Sequence, residues 1–304
     1  MFCVHACRDS RYGDERITAV REHQRQTITT NRGAGVSAIN RPGFRPIAFL
    51  FVHGLASNAR LWDGVADHLA SRGYPSVAVD QRSHGLSEDV DGPFDFATLA
   101  DDLLSVIDEA LPPEAPVIAA GQSLGGNVVL ELAYRHPARI AALACIDGGF
   151  ITLSRAFPDW ETAARELAPP SFDKVLYTDL EKRLRKRYSD WPESGVKGQL
   201  ANFEIAADGT IRPHLQRDHH FRLLEEMWKH QPCEIAPSLQ QPVLVIATTQ
   251  TVAGRAAKRE SVSRFANLLP SGRVMWLDAH HDLHAQYPRL TAGWLEELAR
   301  EVSP

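Results

Sequence analysis

Residues 121–125 of the chain read Gly-Gln-Ser-Leu-Gly and stand between an apolar run and a helical pattern. The run 117–120 predicts a strand, and the pattern over 124–135 predicts a helix. A serine at the apex of so sharp a turn has a sparsely populated backbone conformation, so small residues must flank it. Gly121 and Gly125 provide the space because they lack a Cβ atom. The segment therefore predicts a strand–turn–helix unit that presents the Ser123 hydroxyl above a sheet.

Short apolar runs and helical patterns alternate on both sides of this unit. Apolar runs of strand length lie at 47–52, 77–79, 140–146, 243–247 and 273–277, and helical patterns at 58–72, 96–111, 255–269 and 288–302. Residues 26–30 and 36–40 alternate around a turn and predict an antiparallel hairpin. Because buried strands that alternate with helices form parallel sheets, we predict an α/β protein with a doubly wound, mostly parallel sheet.

The alternation pauses between residues 152 and 240, where helical patterns, prolines and aromatic residues occur without strand–helix units. We predict that residues 152–240 form a helical cap at the carboxyl edge of the sheet, where ligands bind in open α/β folds. Residues 23–151 and 241–304 would then form the core. Residues 1–22 are polar and weakly patterned, so we expect a flexible N-terminal extension.

Composition excludes several classes of function. Of 304 residues, 44% are hydrophobic and 23% are charged, which is typical of a globular protein. The net charge of −5, without a basic face, argues against a nucleic-acid partner. No apolar stretch approaches the roughly 20 residues that span a bilayer, and the first residues lack a secretory signal. We therefore expect a cytoplasmic protein with no membrane partner, and its oligomeric state stays open.

Three further segments have recognisable motifs. Residues 53–58 read His-Gly-Leu-Ala-Ser-Asn, residues 80–87 read Asp-Gln-Arg-Ser-His-Gly-Leu-Ser, and residues 281–288 run from a histidine to a proline. Together with residues 121–125, these motifs resemble the α/β-hydrolase fold family, in its branch of serine hydrolases and esterases with a helical cap. Ser83 departs from the family pattern, which usually has glycine there. The resemblance implies an enzyme with a Ser-His-Asp triad.

Ser123 is the candidate nucleophile, and a serine hydroxyl needs a base within hydrogen-bond reach. Acyl transfer also places negative charge on the carbonyl oxygen, which two preorganised N–H groups stabilise. The backbone N–H of Leu124, directly after the serine, is one candidate donor. The backbone N–H of Leu55 is the other, since Gly54 lets the chain approach a ligand closely. We interpret His53 as a structural hydrogen-bonding residue.

Three histidines compete for the role of the base, namely His280, His281 and His284. In the family pattern, the catalytic histidine commonly lies seven positions before a proline that opens the last helix. Pro288 fits that pattern and selects His281, with His284 as the second choice. A zinc site is the alternative for the three histidines, but the nearby serine turn favours the base. We therefore predict neither a metal nor a cofactor.

The acid of the triad departs from the commonest family arrangement. In most of the family it follows the strand after the insertion, but residues 248–251 read Thr-Thr-Gln-Thr here, and Gln250 or Thr251 stands in its place. A minority arrangement places the acid one strand earlier, where this chain has Asp147. A carboxylate there can orient the imidazole and stabilise its cation. Alternatively, Asp147 only caps the loop that leads into the insertion.

The resemblance implies a serine hydrolase that cleaves small, mostly apolar carboxylic esters through an acyl-enzyme. Several aromatic residues could line an acyl pocket or pack in a core, namely Phe150, Phe157, Trp160, Phe172, Tyr177, Phe203 and Trp228. Lactonases, C–C bond hydrolases, amidases and cofactor-free haloperoxidases share the scaffold, and acyl transfer to an alcohol or thiol is also open. Because the usual acid is missing, a non-catalytic or very slow ligand receptor is the alternative of another class.

Overall fold

The computed structural model describes residues 23–249 and 255–303. The expected N-terminal extension, residues 1–22, and the two residues at the usual acid position, Gln250 and Thr251, lie outside the described residues. Within the described ranges, no helix combines the length and the apolar composition needed to cross a bilayer.

The strands belong to one large sheet and one small hairpin. They are β1 (Gln24–Thr29), β2 (Gly35–Arg41), β3 (Ala48–Val52), β4 (Ser76–Val79), β5 (Val117–Gln122), β6 (Ile140–Ile146), β7 (Phe203–Ile205), β8 (Ile211–Pro213), β9 (Val243–Thr248) and β10 (Gly272–Leu277). The large sheet has the order β1-β2-β4-β3-β5-β6-β9-β10. Its first two pairings are antiparallel, and every later pairing is parallel. The predicted doubly wound, mostly parallel sheet is therefore confirmed.

The α-helices follow the predicted alternation. They are α1 (Asp63–Ser71), α2 (Phe96–Ala110), α3 (Leu124–Arg135), α4 (Leu153–Ala156), α5 (Trp160–Glu166), α6 (Tyr177–Arg187), α7 (Glu193–Leu200), α8 (Arg217–Lys229), α9 (Pro232–Ile235), α10 (Arg255–Ala266), α11 (Leu283–Gln286) and α12 (Pro288–Glu301). Short 3₁₀ turns at Ala59–Trp62 and Ala236–Ser238 complete the set.

Helices cover both faces of the large sheet. Leu50 and Val52 of β3 belong to a hydrophobic cluster that includes residues of α2 and α3. Phe49 and Phe51 of the same strand belong to a second cluster, which includes residues of α1 and α12. Since successive side chains of a strand point to opposite faces, a strand covered on both sides must be apolar throughout. This is why the apolar runs identify the central strands in the sequence.

The insertion between β6 and β9 contains α4 to α9 and the hairpin of β7 and β8. The sequence predicts helices only, and it misses the hairpin because strands of three residues are too short to show an alternating pattern. Polar contacts connect the insertion to the core. Asn58 Nδ2 donates to the carbonyl oxygen of Gly198 at 2.9 Å, and Arg222 Nη1 lies 2.6 Å from Asp91 Oδ1.

Arg82, from the motif at residues 80–87, makes a buried ion pair with Asp102 of α2. Its Nε and Nη2 donate to the two carboxylate oxygens at 2.6 and 2.8 Å, and the two side chains are 3% and 5% exposed. Removing one charge of such a pair leaves the other buried and uncompensated. The ion pair therefore attaches the loop that follows β4 to helix α2.

We expect Asp102→Asn to lower the free energy of unfolding by about 3–5 kcal/mol, because the Arg82 guanidinium loses its charged partner. Urea denaturation followed by circular dichroism measures the change. The matched control is the double variant Arg82→Met/Asp102→Leu, which removes both charges and should recover most of the loss. Equal stability of Asp102→Asn and the wild type would contradict this interpretation.

Candidate active site

Ser123 lies at the apex of the turn between β5 and α3, in a conformation that few non-glycine residues adopt. Its φ is +53° and its ψ is −119°. A Cβ atom on Gly121 would lie only 2.1 Å from the carbonyl oxygen of Gly125, so the turn cannot close with a larger residue there. The predicted strand–turn–helix unit is present, and it places Ser123 at the carboxyl end of β5.

Asp147 forms a second strained turn directly after β6, with a φ of +46°. The two turns touch, since a Cβ atom on Gly148 would lie 2.2 Å from the carbonyl oxygen of Ser123. Backbone hydrogen bonds fix their positions. The Ser123 N–H donates to the carbonyl oxygen of Ile146 at 3.0 Å, and the Asp147 N–H donates to that of Ile246 at 2.7 Å. Ser123 and Asp147 therefore lie side by side at the carboxyl edge of the sheet.

His281 lies in the segment between β10 and α11 and contacts Asp147. Its Nδ1 atom lies 2.6 Å from Asp147 Oδ2. The Asp147 side chain is 3% exposed, whereas 53% of the His281 side chain is exposed. A neutral imidazole that donates from Nδ1 carries no proton on Nε2, which leaves that atom able to accept one.

Thr248 and Lys258 complete the hydrogen bonding of the Asp147 carboxylate. Oδ1 accepts from the Thr248 N–H at 2.9 Å, and Oδ2 accepts from the Thr248 hydroxyl at 2.9 Å. Lys258 Nζ, from α10, lies 2.5 Å from Asp147 Oδ1 and donates to Thr248 Oγ1 at 3.0 Å. No sequence pattern identifies either residue as a partner of Asp147, because the pairing of β9 with β6 and the placement of α10 bring them there.

These contacts shift the pKa values of both Asp147 and His281. Burial raises the pKa of Asp147, but the hydrogen bond and charge of His281 and the charge of Lys258 outweigh it, so its pKa falls below the usual value. Desolvation of the half-exposed ring by neighbouring protein atoms lowers the pKa of His281, but the hydrogen bond to Asp147 and the charges of Asp282 and Asp147 outweigh that effect and raise its pKa. The charge of Lys258 acts in the opposite direction on His281. The pair thus favours an ionised carboxylate and a basic imidazole.

A cavity of about 170 Å³ lies beside Ser123 and His281. Its lining consists of Gly54, Leu55, Ala56, Ser57, Leu61, Gln122, Ser123, Gln199, Asn202, His281 and Asp282. Among the described residues, no hydrogen bond joins Ser123 to His281 in this structure. Such bonds are often long before substrate binds, so the shared cavity is the relevant geometry.

Leu55 and Leu124 are the residues whose backbone N–H groups the sequence suggests as oxyanion donors. Leu55 lines the cavity, and Leu124 is the first residue of α3, directly after Ser123. Neither N–H donates a hydrogen bond to another group within the described part of the chain. An oxyanion donor must have no acceptor within the protein, and both groups meet that condition among the described residues.

The lining of the cavity differs from the apolar acyl pocket expected from the sequence. Polar side chains dominate, and the insertion contributes Gln199 and Asn202. None of the seven candidate aromatic residues lines this cavity, but Phe150 lines a second cavity of about 440 Å³, which also borders Asp147 and His281. Phe172, Tyr177 and Phe203 instead pack against a buried cluster of the insertion that includes Leu180 and Trp191.

The remaining histidines of the motifs have other surroundings. His53 is buried, and its Nε2 accepts from the Gln81 N–H at 3.0 Å. His284 is buried against Trp62, and burial lowers its pKa to about 3. The ring centroids of His280 and Trp191 lie 5.7 Å apart. Over residues 23–249 and 255–303, no group of three or more histidine, cysteine or acidic side chains is arranged to hold a metal ion.

The family model of the alpha/beta hydrolase fold matches residues 47–284. The chain is 27% identical over 180 residues to a 2-(acetamidomethylene)succinate hydrolase of Mesorhizobium japonicum, covering 58% of this chain and 60% of the relative. It is 34% identical over 127 residues to a pimeloyl-(acyl-carrier protein) methyl ester esterase of Neisseria meningitidis serogroup B. That match covers 41% of this chain and 43% of the relative. The chain thus spans about half the length of these curated relatives.

Solved structures show the same fold at low sequence identity. The crystal structure of E-2-(acetamidomethylene)succinate hydrolase has a TM-score of 0.73 at 20% identity. The match covers 92% of this chain and 100% of the hydrolase. A thioesterase domain from the curacin biosynthetic pathway has a TM-score of 0.72 at 19% identity, covering 91% and 100%. At these identities, the likeness extends to the fold alone.

We expect Asp147→Asn to lower the pKa of His281 by about 1–2 units, because the anionic hydrogen-bond acceptor disappears while burial and the Lys258 charge stay. Titration of the His281 ring by NMR measures the shift. Asp282→Asn is the matched control, since it removes a carboxylate that acts on His281 through charge only, and its effect should be smaller. An unchanged pKa in Asp147→Asn would contradict the assigned contact.

Proposed function

Since this chain belongs to the α/β-hydrolase fold family, we propose that it is a serine hydrolase that cleaves small carboxylic esters through an acyl-enzyme intermediate. The observation that carries the proposal is the contact of 2.6 Å between His281 Nδ1 and the buried Asp147, with the His281 ring beside the same cavity as Ser123. Ser123 is then the nucleophile, His281 the base and Asp147 the acid of the triad.

The reaction begins when Ser123 Oγ attacks the ester carbonyl carbon and His281 Nε2 takes the hydroxyl proton. The carbonyl oxygen becomes an anion, which the backbone N–H groups of Leu55 and Leu124 stabilise. The ester C–O bond then breaks, and His281 returns the proton to the leaving alcohol oxygen. Water repeats the sequence on the acyl-enzyme, so that the carboxylic acid is released and Ser123 is restored.

Asp147 serves this cycle through the imidazole. Its hydrogen bond to Nδ1 keeps Nε2 directed away from the carboxylate, and its charge stabilises the imidazolium that forms during attack. It occupies the minority position after β6, and Thr248 stands at the end of the strand where most of the family has its acid. Thr248 donates two hydrogen bonds to Asp147, which supports the shifted acid as more than a loop cap.

The cavity restricts the class of ester. A volume of about 170 Å³ admits a small acyl or alkoxy group. Leu55 and Leu61 provide apolar contact, but Ser57 Oγ is buried and, among the described residues, has no hydrogen-bond partner. An unsatisfied buried hydroxyl favours a ligand with a polar group. We therefore infer an ester with a hydrogen-bonding group on the side of Ser57, while the second cavity at His281, of about 440 Å³ and lined in part by Phe150 and Ile151, has room for an apolar group.

The insertion at residues 152–240 is proposed to act as the cap of this site. Gln199 and Asn202, at the end of α7 and just after it, line the cavity with Ser123. Two hydrogen bonds fix their positions, because Gln199 Nε2 donates to Asp282 at 2.9 Å and Asn58 Nδ2 donates to Asn202 Oδ1 at 2.5 Å. The cap thus contributes to specificity as well as covering the site.

Ser123→Ala should reduce the kcat/KM for p-nitrophenyl acetate by at least about 10³-fold and abolish labelling by a fluorophosphonate, because both reactions need the hydroxyl. Ser238→Ala is the matched control, since it removes an exposed hydroxyl outside the cavity and should leave labelling intact. Peptide mapping of the labelled wild type should identify Ser123. Slow or absent labelling of the wild type would instead support a ligand receptor.

The pH dependence of kcat/KM should show an acid limb with its midpoint above about 6.5. His281 acts as a base only when neutral, and its pKa is raised above the ordinary value, so activity falls as the pH drops through that raised pKa. A stopped assay across pH 5–9, which covers roughly the range of histidine titration, measures the limb. A midpoint well below 6.5 would be inconsistent with the contact to Asp147.

A further inference from the structure

A lysine contacts the carboxylate that the proposed triad uses. Lys258 Nζ lies 2.5 Å from Asp147 Oδ1. The Asp147 side chain is 3% exposed and the Lys258 side chain 20%, so the ammonium is partly withdrawn from water. An ammonium is strongly hydrated, so its contacts with Asp147 and Thr248 must offset the cost of withdrawing it from water. The Ser-His-Asp chemistry itself requires no cation at this position.

Each oxygen of the Asp147 carboxylate has a defined pair of partners. Oδ1 faces the Thr248 N–H and Lys258 Nζ, and Oδ2 faces the Thr248 hydroxyl and His281 Nδ1. Lys258 Nζ also donates to Thr248 Oγ1 at 3.0 Å, so that hydroxyl must direct its own proton to Asp147 Oδ2. The network therefore fixes the rotation of the carboxylate and the direction of Oδ2 toward His281.

The Lys258 ammonium also affects the protonation of His281 in the Asp147–His281 pair. Asp147 and Asp282 stabilise protonated His281, whereas Lys258 disfavours it. Arg187, from α6 of the insertion, and His280, next to His281 in the chain, line a cavity together with Asp147, Lys258 and His281. Lys258 is the cation among these groups that pairs directly with the carboxylate.

We propose that Lys258 is a positioning residue of the active site, which fixes the Asp147 carboxylate toward His281 and limits the negative charge that this carboxylate presents to the imidazole. The catalytic role of Lys258 rests on the proposed function. The contact between Lys258 and Asp147 follows from the order of the elements, because α10 is the next helix after β9. The strand and helix that border the usual acid position provide Thr248 and Lys258 as partners for an acid on the neighbouring strand.

Two substitutions separate the charge from the hydrogen bonds. Lys258→Met removes both, whereas Lys258→Gln removes the charge and keeps a donor near Asp147 and Thr248. Lys258→Arg keeps the charge. Lys229→Met, which removes a half-exposed lysine that pairs with Glu225 and Glu226 of α8, is the matched control.

The pKa of His281, measured by NMR titration, should rise by about 0.5–1 unit in both Lys258→Met and Lys258→Gln, since a nearby positive charge is lost. The acid limb of kcat/KM should move upward by the same amount. Above the limb, kcat should fall about 3–10-fold in Lys258→Met through lost orientation and less in Lys258→Gln. Lys258→Arg and Lys229→Met should match the wild type in both titrations.

A merely structural ion pair gives a different result. Lys258→Met and Lys258→Gln would then lose stability to urea while the pKa of His281 and the acid limb stayed at the wild-type values, and this result would overturn the proposal. The NMR titration needs no substrate, so it also separates the two levels of inference. A shifted His281 pKa in a wild type that hydrolyses no ester and resists fluorophosphonate would contradict the proposed function and leave the electrostatic coupling of Lys258 to His281 established.

Discussion

The close contact between two strained turns at the carboxyl edge of the sheet determines the geometry of the site. Ser123 and Asp147 both have positive φ values, and Gly148 leaves no room for a side chain against the Ser123 carbonyl oxygen. The N–H groups of both residues donate to the ends of neighbouring strands. Parallel strands that end together thus position the nucleophile and the acid by backbone contacts alone, and these contacts retain the strain of both turns.

The carboxylate of Asp147 then connects the rest of the site. It contacts His281 from the segment after β10, Thr248 from β9 and Lys258 from α10. A buried carboxylate is stable only when its oxygens are satisfied, and here four donors share two oxygens. The partners that lower the pKa of Asp147 therefore also connect β9, α10 and the segment after β10 to the turn after β6.

Local motifs predict the fold and the candidate triad, but not the surroundings of the triad. The glycines around Ser123 and the spacing from His281 to Pro288 are short patterns that the sequence displays directly, and the apolar strands are continuous because both of their faces are buried. The contact of Lys258 with Asp147 depends on how α10 packs, 111 positions along the chain from Asp147. The polar lining likewise depends on where Gln199 and Asn202 lie in three dimensions, so no pattern in the sequence reveals it.

A crystal structure of the protein inactivated by a small alkyl fluorophosphonate tests the central claim most directly. The account predicts phosphorus bonded to Ser123 Oγ, the phosphoryl oxygen within hydrogen-bond distance of the Leu55 and Leu124 N–H groups, and His281 still bound to Asp147. An adduct whose phosphoryl oxygen faces away from both N–H groups, or a His281 ring that pairs with Asp282 in place of Asp147, would contradict it.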